Sequence, residues 1–167
     1  MGFDIHMICG LTGAGKSIYA EILRKKLQAV RFSIDEWNNS LFFMDRDPAS
    51  DFSWFYERVQ RSCNQMRKTA AHVIDTGTPV IFDCGFTDLK ERTIFYDWAD
   101  EHSYTVTLHF LDVDPDTRWR RVEKRNLEKG ETFMITVTRP MFDFMQGIWE
   151  APDADEMNRR NGQLIVY

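Results

Sequence analysis

The run Gly10-Leu11-Thr12-Gly13-Ala14-Gly15-Lys16-Ser17 carries the most specific chemistry in the chain. Its spacing is G-x-x-x-x-G-K-[ST], in which small residues let backbone N–H groups converge on phosphate oxygens. Lys16 then reaches β- and γ-phosphates, and the Ser17 hydroxyl holds Mg²⁺. A helix opening at this point adds its positive end. Two carboxylates follow, each at the end of a short apolar run. Asp35 would sit at the carboxyl edge of a sheet, beside the loop, where ligands bind in such folds. There it could take a proton from an acceptor hydroxyl and aim the oxygen at a γ-phosphate. It could equally cap the turn that follows. Glu36, next to it, should point away. Asp83 closes Val80-Ile81-Phe82 and could bind Mg²⁺ through water or bond the loop backbone. Arg118, Arg121 and Arg125 fall at i, i+3 and i+7, so they share one helix face. That face suits phosphate recognition by planar guanidinium forks, or a solvated surface paired with Glu123 and Glu128.

The elements that must position these groups alternate between two periodicities. A strand over 3–9 enters the glycine-rich turn, and a helix over 17–28 leaves it, with Ile18/Ile22 and Leu23/Leu27 along the expected buried side. A strand over 30–34 ends before Asp35. The segment 36–53 has no clear period and reads as a functional loop or small lid. A helix over 54–75 carries Phe55, Val59, Met66, Ala70 and Val73 on one face, and Gly77 and Pro79 stop it. The run at 80–83 suits a strand buried on both faces. A helix over 88–101 opens on a capping box, Asp88 and Glu91. A strand over 104–111 precedes Asp114-Pro115, a cap followed by a proline at the first helical position, and that helix passes Arg125. A helix over 139–149 and a strand over 163–167 complete the chain. Such alternation implies a largely parallel sheet with helices on both faces.

Composition bounds the rest. The 167 residues carry 21 Lys+Arg against 26 Asp+Glu, a net charge of −5, with 43% hydrophobic and 28% charged residues. This is the profile of one globular domain. Net acidity disfavours broad nucleic-acid binding, which draws its affinity from Lys/Arg contacts to phosphates. No apolar run suits a bilayer span. The Met-Gly opening lacks a signal-like core, and His6 stands where a myristoylation signal needs Ser or Thr. Cys9, Cys63 and Cys84 fit neither a disulfide framework nor a zinc site, so a reducing cytoplasm is expected. Cys84 reads as a buried small residue rather than a nucleophile. The scattered histidines form no metal cluster, and His109 reads as a satisfied sheet residue. Eight aromatics between 32 and 56 include Trp37, Phe42 and Phe43, which either line an acceptor pocket or belong to the core.

Small GTPases carry an Asn-Lys-x-Asp segment that is absent here. Taken in order, GLTGAGKS (10–17), SIDEW (33–37), VIFDCGF (80–86), LDVDPDTRWRRVEKRN (111–126) and VTRPMFDFMQGIWEAPDADE (137–156) resemble the small P-loop kinases. The resemblance is to predicted kinases with a compact AAA-type domain, relatives of zeta toxin, chloramphenicol phosphotransferase, gluconate kinase and polynucleotide kinase. It implies a three-layer α/β P-loop NTPase fold with a parallel sheet ordered 2-3-1-4-5 and a helical lid. It implies one domain over 1–167, with 36–53 near the acceptor and 118–150 as the lid region. The activity implied is transfer of a phosphoryl group from ATP, with Mg²⁺, to a hydroxyl of a small-molecule acceptor. In the resemblance Asp35 is the general base, Arg121 lies against adenine and Arg125 against phosphates, through Arg121-Val122-Glu123-Lys124-Arg125. Several relatives follow the Asp83 position with a small residue and Thr-Asn, whereas here Cys84-Gly85-Phe86 follow. Two alternatives stand beside this reading. One is a polynucleotide 5′-kinase; the other is a nucleotide-binding regulatory module that hydrolyses ATP slowly.

Overall fold

The computed structural model describes residues 4–47, 52–130, 133 and 135–166. Strands β1 (Asp4–Cys9), β2 (Val30–Ser33), β3 (Val80–Gly85), β4 (Thr105–Asp112) and β5 (Gln163–Val166) form one sheet in the order β2-β3-β1-β4-β5. Every neighbouring pair is parallel, so each connection must cross over the sheet. Helix α1 (Lys16–Leu27) joins β1 to β2, and α2 (Ile34–Phe42) and α3 (Phe52–Asp75) lead to β3. Helix α4 (Leu89–Glu101) leads to β4, and α5 (Pro115–Glu128), α6 (Arg139–Gly147) and α7 (Ala154–Arg159) lead to β5. The expected order 2-3-1-4-5 is the observed one.

Alternating side chains of the central strand β1 feed opposite layers. Ile5, Met7 and Cys9 join a core with Met66 and Ala70 of α3 and Phe95 and Ala99 of α4. Ile8 joins Ile81, Leu111 and the α1 residues Ala20 and Leu23 on the other face. On that second face His109 is buried with both ring nitrogens engaged. Its Nε2 lies 2.9 Å from His6 Nδ1, and its Nδ1 lies 2.8 Å from the Tyr19 hydroxyl.

Several expected details differ. Ile18 and Ile22 are 60% and 61% exposed, and Ala20 and Leu23 hold the buried side of α1. The glycine-rich loop fixes where α1 starts, so helical phase follows the loop rather than the largest apolar residues. Phe55 is 37% exposed, because α3 turns Cys63, Met66, Ala70 and Ile74 inward. The segment 36–53 is not a loop throughout. Ser33 caps α2 by accepting the Glu36 N–H at 3.4 Å, and a 3₁₀ turn covers Phe43–Asp45. Residues 48–51 of that segment, with Phe3 and Tyr167 at the expected strand ends, lie outside the described residues.

The capping box at Asp88 forms, with Glu91 N–H on Asp88 Oδ1 at 2.7 Å, although Glu91 Oε2 turns to the Thr87 N–H instead. Helix α7 was not expected, and a buried ion pair ties it to α4. Arg92 Nε and Nη2 donate to Glu156 Oε1 and Oε2 at 2.6 and 3.0 Å, and the Tyr96 hydroxyl donates to Oε1 at 2.7 Å. Arg92 Nη1 also donates to the carbonyls of Phe86 and Glu150. Among the described residues no helix is long and apolar enough to cross a membrane.

Candidate active site

The glycine-rich loop leaves β1 at the carboxyl edge of the sheet and turns directly into α1. Gly13 adopts φ +83°, and a Cβ there would lie 2.5 Å from the Arg118 carbonyl oxygen. Only glycine lets the loop lie this close to α5. Gly15 sits at the N-cap of α1 and brings no side chain to satisfy the first turn. By contrast, Ser33, Asp88, Asp114, Thr138 and Asp153 cap α2, α4, α5, α6 and α7 through their side chains. The first turn of α1 thus carries no side-chain cap, as a helix start that binds an anion requires. Ala14 N–H donates to Leu11 O at 3.0 Å, and Lys16 Nζ reaches the same carbonyl at 3.2 Å. Ser17 stands half-buried in the first turn of α1.

Helix α5 lays its arginine face on this loop. Arg118 is buried, with Nε on Val113 O at 2.9 Å, Nη1 on Thr12 O at 3.3 Å and Nη2 on Gln146 Oε1. Its role is to join the loop, α5 and α6. One turn on, Arg121 Nη1 approaches the carbonyls of Ala14 and Gly13 at 3.4 and 3.5 Å. Arg125 follows, half-buried, and its Nε is buried without a hydrogen-bond partner among the described residues. Lys124 and Glu128 pair at 3.8 Å among the exposed side chains of the same helix. The face at 118, 121 and 125 is therefore not simply a solvated surface.

Asp35 lies in the first turn of α2 rather than at the end of β2, and the cap of that helix is Ser33. The turn-cap alternative for Asp35 is thereby replaced. Water reaches the Asp35 side chain, yet protein crowds its carboxyl enough that lost hydration raises its pKa above the ordinary range. Lys16 opposes that rise, Asp83 adds to it, and Arg125 and Arg31 oppose it. Contact with water tempers the shift. Burial lowers the Arg125 pKa, and the Asp35 carboxylate resists that change. Asp35, Lys16, Asp83 and Arg125 thus share one electrostatic centre, contributed by α2, the loop, β3 and α5. Asp83 is 4% exposed, and its Oδ2 accepts from Arg31 Nη2 at 2.9 Å. In place of the alternative bond to the loop backbone, Asp83 pairs with this β2 arginine, whose Nη1 also pairs with Glu36 at 3.0 Å. Nothing in the sequence signalled Arg31, because it lies 52 positions from Asp83.

Beyond Asp83, a small, partly open hollow of about 20 Å³ lies between α3, the end of β3 and α4, with Val59, Cys63, Cys84, Phe86, Ile94 and Phe95 in its walls. Trp37, Phe42 and Phe43, for which an acceptor pocket and the core were both open, do not line this hollow. Trp37 packs on the core edge-on to Phe32, Phe42 lies under the Arg58 guanidinium, and Phe43 is 45% exposed. Cys84 packs its Sγ 3.9 Å from Met66 Sδ, as a small half-buried residue would.

A family model described as an AAA domain matches residues 5–142. No curated protein matches the chain. Solved structures do. A Chloroflexus aurantiacus protein provisionally named a kinase aligns with TM-score 0.72 and 15% identity over 100% of this chain and 86% of its own. Chaetomium thermophilum Kti12, in complex with ADP-AlF3, aligns with TM-score 0.68 and 17% identity over 98% and 89%. The Mycobacterium tuberculosis APS kinase CysC, in complex with AMPPNP and APS, aligns with TM-score 0.64 and 17% identity over 98% and 87%. At such identities these likenesses establish the fold, a P-loop NTPase core with helices on both sides of a five-stranded parallel sheet.

Proposed function

The chain belongs to this AAA-domain family, and from that premise we propose that it transfers the γ-phosphoryl group of ATP·Mg²⁺ to a hydroxyl of a small-molecule acceptor. One observation carries the proposal: Asp35 is an electrostatic neighbour of both Lys16 of the loop and Arg125 of α5. A proton acceptor beside a phosphate-binding lysine and an incompletely bonded arginine is the constellation that phosphoryl transfer to a hydroxyl requires.

In this reading the backbone of Gly10, Leu11, Thr12, Gly13, Ala14 and Gly15 cradles the β- and γ-phosphates. Lys16 exchanges Leu11 O for phosphate oxygens. Ser17 and Asp83 offer the hard oxygen donors that Mg²⁺ takes. When bound, that ion neutralises charge on the phosphate oxygens. Arg125 directs its unsatisfied Nε, and the rest of its fork, at charge that develops on the transferring group. Arg121 lies farther out, against the nucleotide. Asp35 accepts the acceptor's proton as the O–H bond breaks, the oxygen bonds to the γ-phosphorus, and ADP leaves with the bridging electrons. A carboxyl raised by crowding is the better base for that step. In the same reading the described parts of 36–53 flank the acceptor and those of 118–150 form the lid.

The Arg31–Asp83 pair favours a second reading, because it draws on the charge of the Mg²⁺-side carboxylate. That reading is a nucleotide-binding module that hydrolyses ATP slowly. Incubation with γ-labelled ATP and fractionated metabolites separates the two. A labelled small molecule supports the kinase, whereas labelled phosphate alone from every fraction supports the module.

A further inference from the structure

The hollow beyond Asp83 contains a cation that the proposed transfer chemistry leaves unused. Arg67, on α3, lines it. Its guanidinium lies 4.8 Å from the centroid of Phe95, and no ion pair joins it to a carboxylate among the described residues. Burial lowers its pKa, opposed by the neighbouring Cys63 and Cys84. The half-buried guanidinium, with no carboxylate partner among the described residues, keeps donors that an anion can use. The carboxylate of the hollow, Glu91 on α4, is engaged elsewhere, with Oε2 on the Thr87 N–H at 2.8 Å. The contact with Cys63, and then burial, raise the Cys84 pKa, while the same contact and Arg67 itself lower that of Cys63. Stacking on Phe95 fixes the plane of the guanidinium and leaves its N–H edges for a ligand.

Two contacts place this hollow beside the proposed base. Cys84 in its wall is adjacent in sequence to Asp83 and lies within the electrostatic reach of Asp35. Helix α2, which carries Asp35, is pinned to α3 where the Ser62 hydroxyl donates to Asn38 Oδ1 at 3.0 Å, one residue from Cys63. The hollow that Arg67 lines thus reaches the residue that follows Asp83 and the helix that follows the one carrying Asp35.

We propose that Arg67 receives an anionic group of the acceptor, a phosphate, sulfate or carboxylate, so that the acceptor is an anionic hydroxyl compound rather than a neutral one. This rests on the kinase reading for the word acceptor, but the anion site can be tested without any transfer. The protein is saturated with AMPPNP·Mg²⁺ to occupy the loop, and inorganic phosphate is titrated by calorimetry into wild type, Arg67→Ala, Arg67→Lys and Lys68→Ala. Lys68 is exposed on the same helix, so its loss changes net charge equally. The expected result is at least tenfold weaker phosphate binding in Arg67→Ala, partial retention in Arg67→Lys and no change in Lys68→Ala. Equal affinities across all four proteins, or equal loss in Arg67→Ala and Lys68→Ala, overturn the proposal. If Arg67→Ala does not fold, Arg67→Gln keeps the stem over Phe95 and carries the same comparison. A second arm offers γ-labelled ATP with glycerol, glycerate or glycerol 3-phosphate. Transfer favouring the anionic compounds, and lost in Arg67→Ala, supports the inference. Transfer to glycerol at a rate that Arg67→Ala leaves unchanged keeps the kinase and removes the anion site. Phosphate binding through Arg67 without transfer to any hydroxyl keeps the anion site and counts against the kinase.

Discussion

Acidification should destabilise this fold through one side chain, His109. Burial, and secondarily the proximity of His6, push its pKa from the ordinary 6.5 down to about 4. Neutral His109 can donate from one nitrogen and accept at the other, which matches its two contacts, Tyr19 and His6. Protonation would make both nitrogens donors in a buried site. The sign follows from linkage: between pH 6.5 and 4 the unfolded chain binds the proton and the folded one does not. Stability from this group is therefore complete above pH 6.5 and falls as pH drops toward 4. With these two pKa values, the loss is about 0.2 kcal/mol at pH 7 and about 1.4 kcal/mol at pH 5.5. The difference, about 1 kcal/mol, corresponds to roughly 2–4 °C of melting temperature for a chain of this size. Urea unfolding of wild type and His109→Gln at pH 7.0 and 5.5 measures it. The glutamine protein should be less stable throughout but should lack about 1 kcal/mol of the wild-type loss between the two pH values. Equal losses in both proteins would refute the argument that a buried neutral imidazole controls this window.

Other perturbations address the proposed nucleotide site and the ion pair between α4 and α7. ATP·Mg²⁺ at about 100 times Kd should add ~2.7 kcal/mol, or roughly 5–10 °C of melting temperature, and Lys16→Ala should abolish most of that in a thermal shift assay. Arg125→Lys retains charge but loses the fork, so transfer measured with any accepted substrate should fall by about 10²–10³ while nucleotide affinity changes little. Arg92→Met leaves Glu156 buried and unpaired and should cost about 3–5 kcal/mol in urea, with much of the loss recovered when Glu156→Leu is added.

What the sequence revealed tracks how local each constraint is. The loop at 10–17 is legible because phosphate geometry demands small residues, Lys16 and Ser17 at fixed spacing along one stretch of chain. The caps at Asp88 and Asp114 are legible because each cap accepts from an N–H three residues away. The phase of α1 was not, since Ile18 and Ile22 have the spacing of a buried stripe and only the loop's attachment turns Ala20 and Leu23 inward. Helix α2 was hidden because its cap, Ser33, is also the last residue of β2 and its aromatics alternate with polar residues without a period. Contacts that depend on folding left no signal at all. The Arg31–Asp83 pair spans 52 positions, the Arg92–Glu156 pair spans 64, and the placement of Arg67 on Phe95 needs α3 and α4 to meet.

The central claim is that Asp35 serves an acceptor hydroxyl rather than the fold or the nucleotide, and Asp35→Asn tests it most directly. Asn preserves shape and hydrogen bonding, but its amide oxygen is too weak a base to take the proton. Nucleotide affinity, measured by calorimetry with AMPPNP·Mg²⁺, should stay within a few-fold of wild type, because Lys16, Ser17 and the loop backbone are untouched. Transfer of labelled phosphate to the metabolite fraction that supports activity should fall by roughly 10²–10⁴. Transfer at the wild-type rate in Asp35→Asn would contradict the account, and so would a loss of nucleotide binding as large as the loss of transfer.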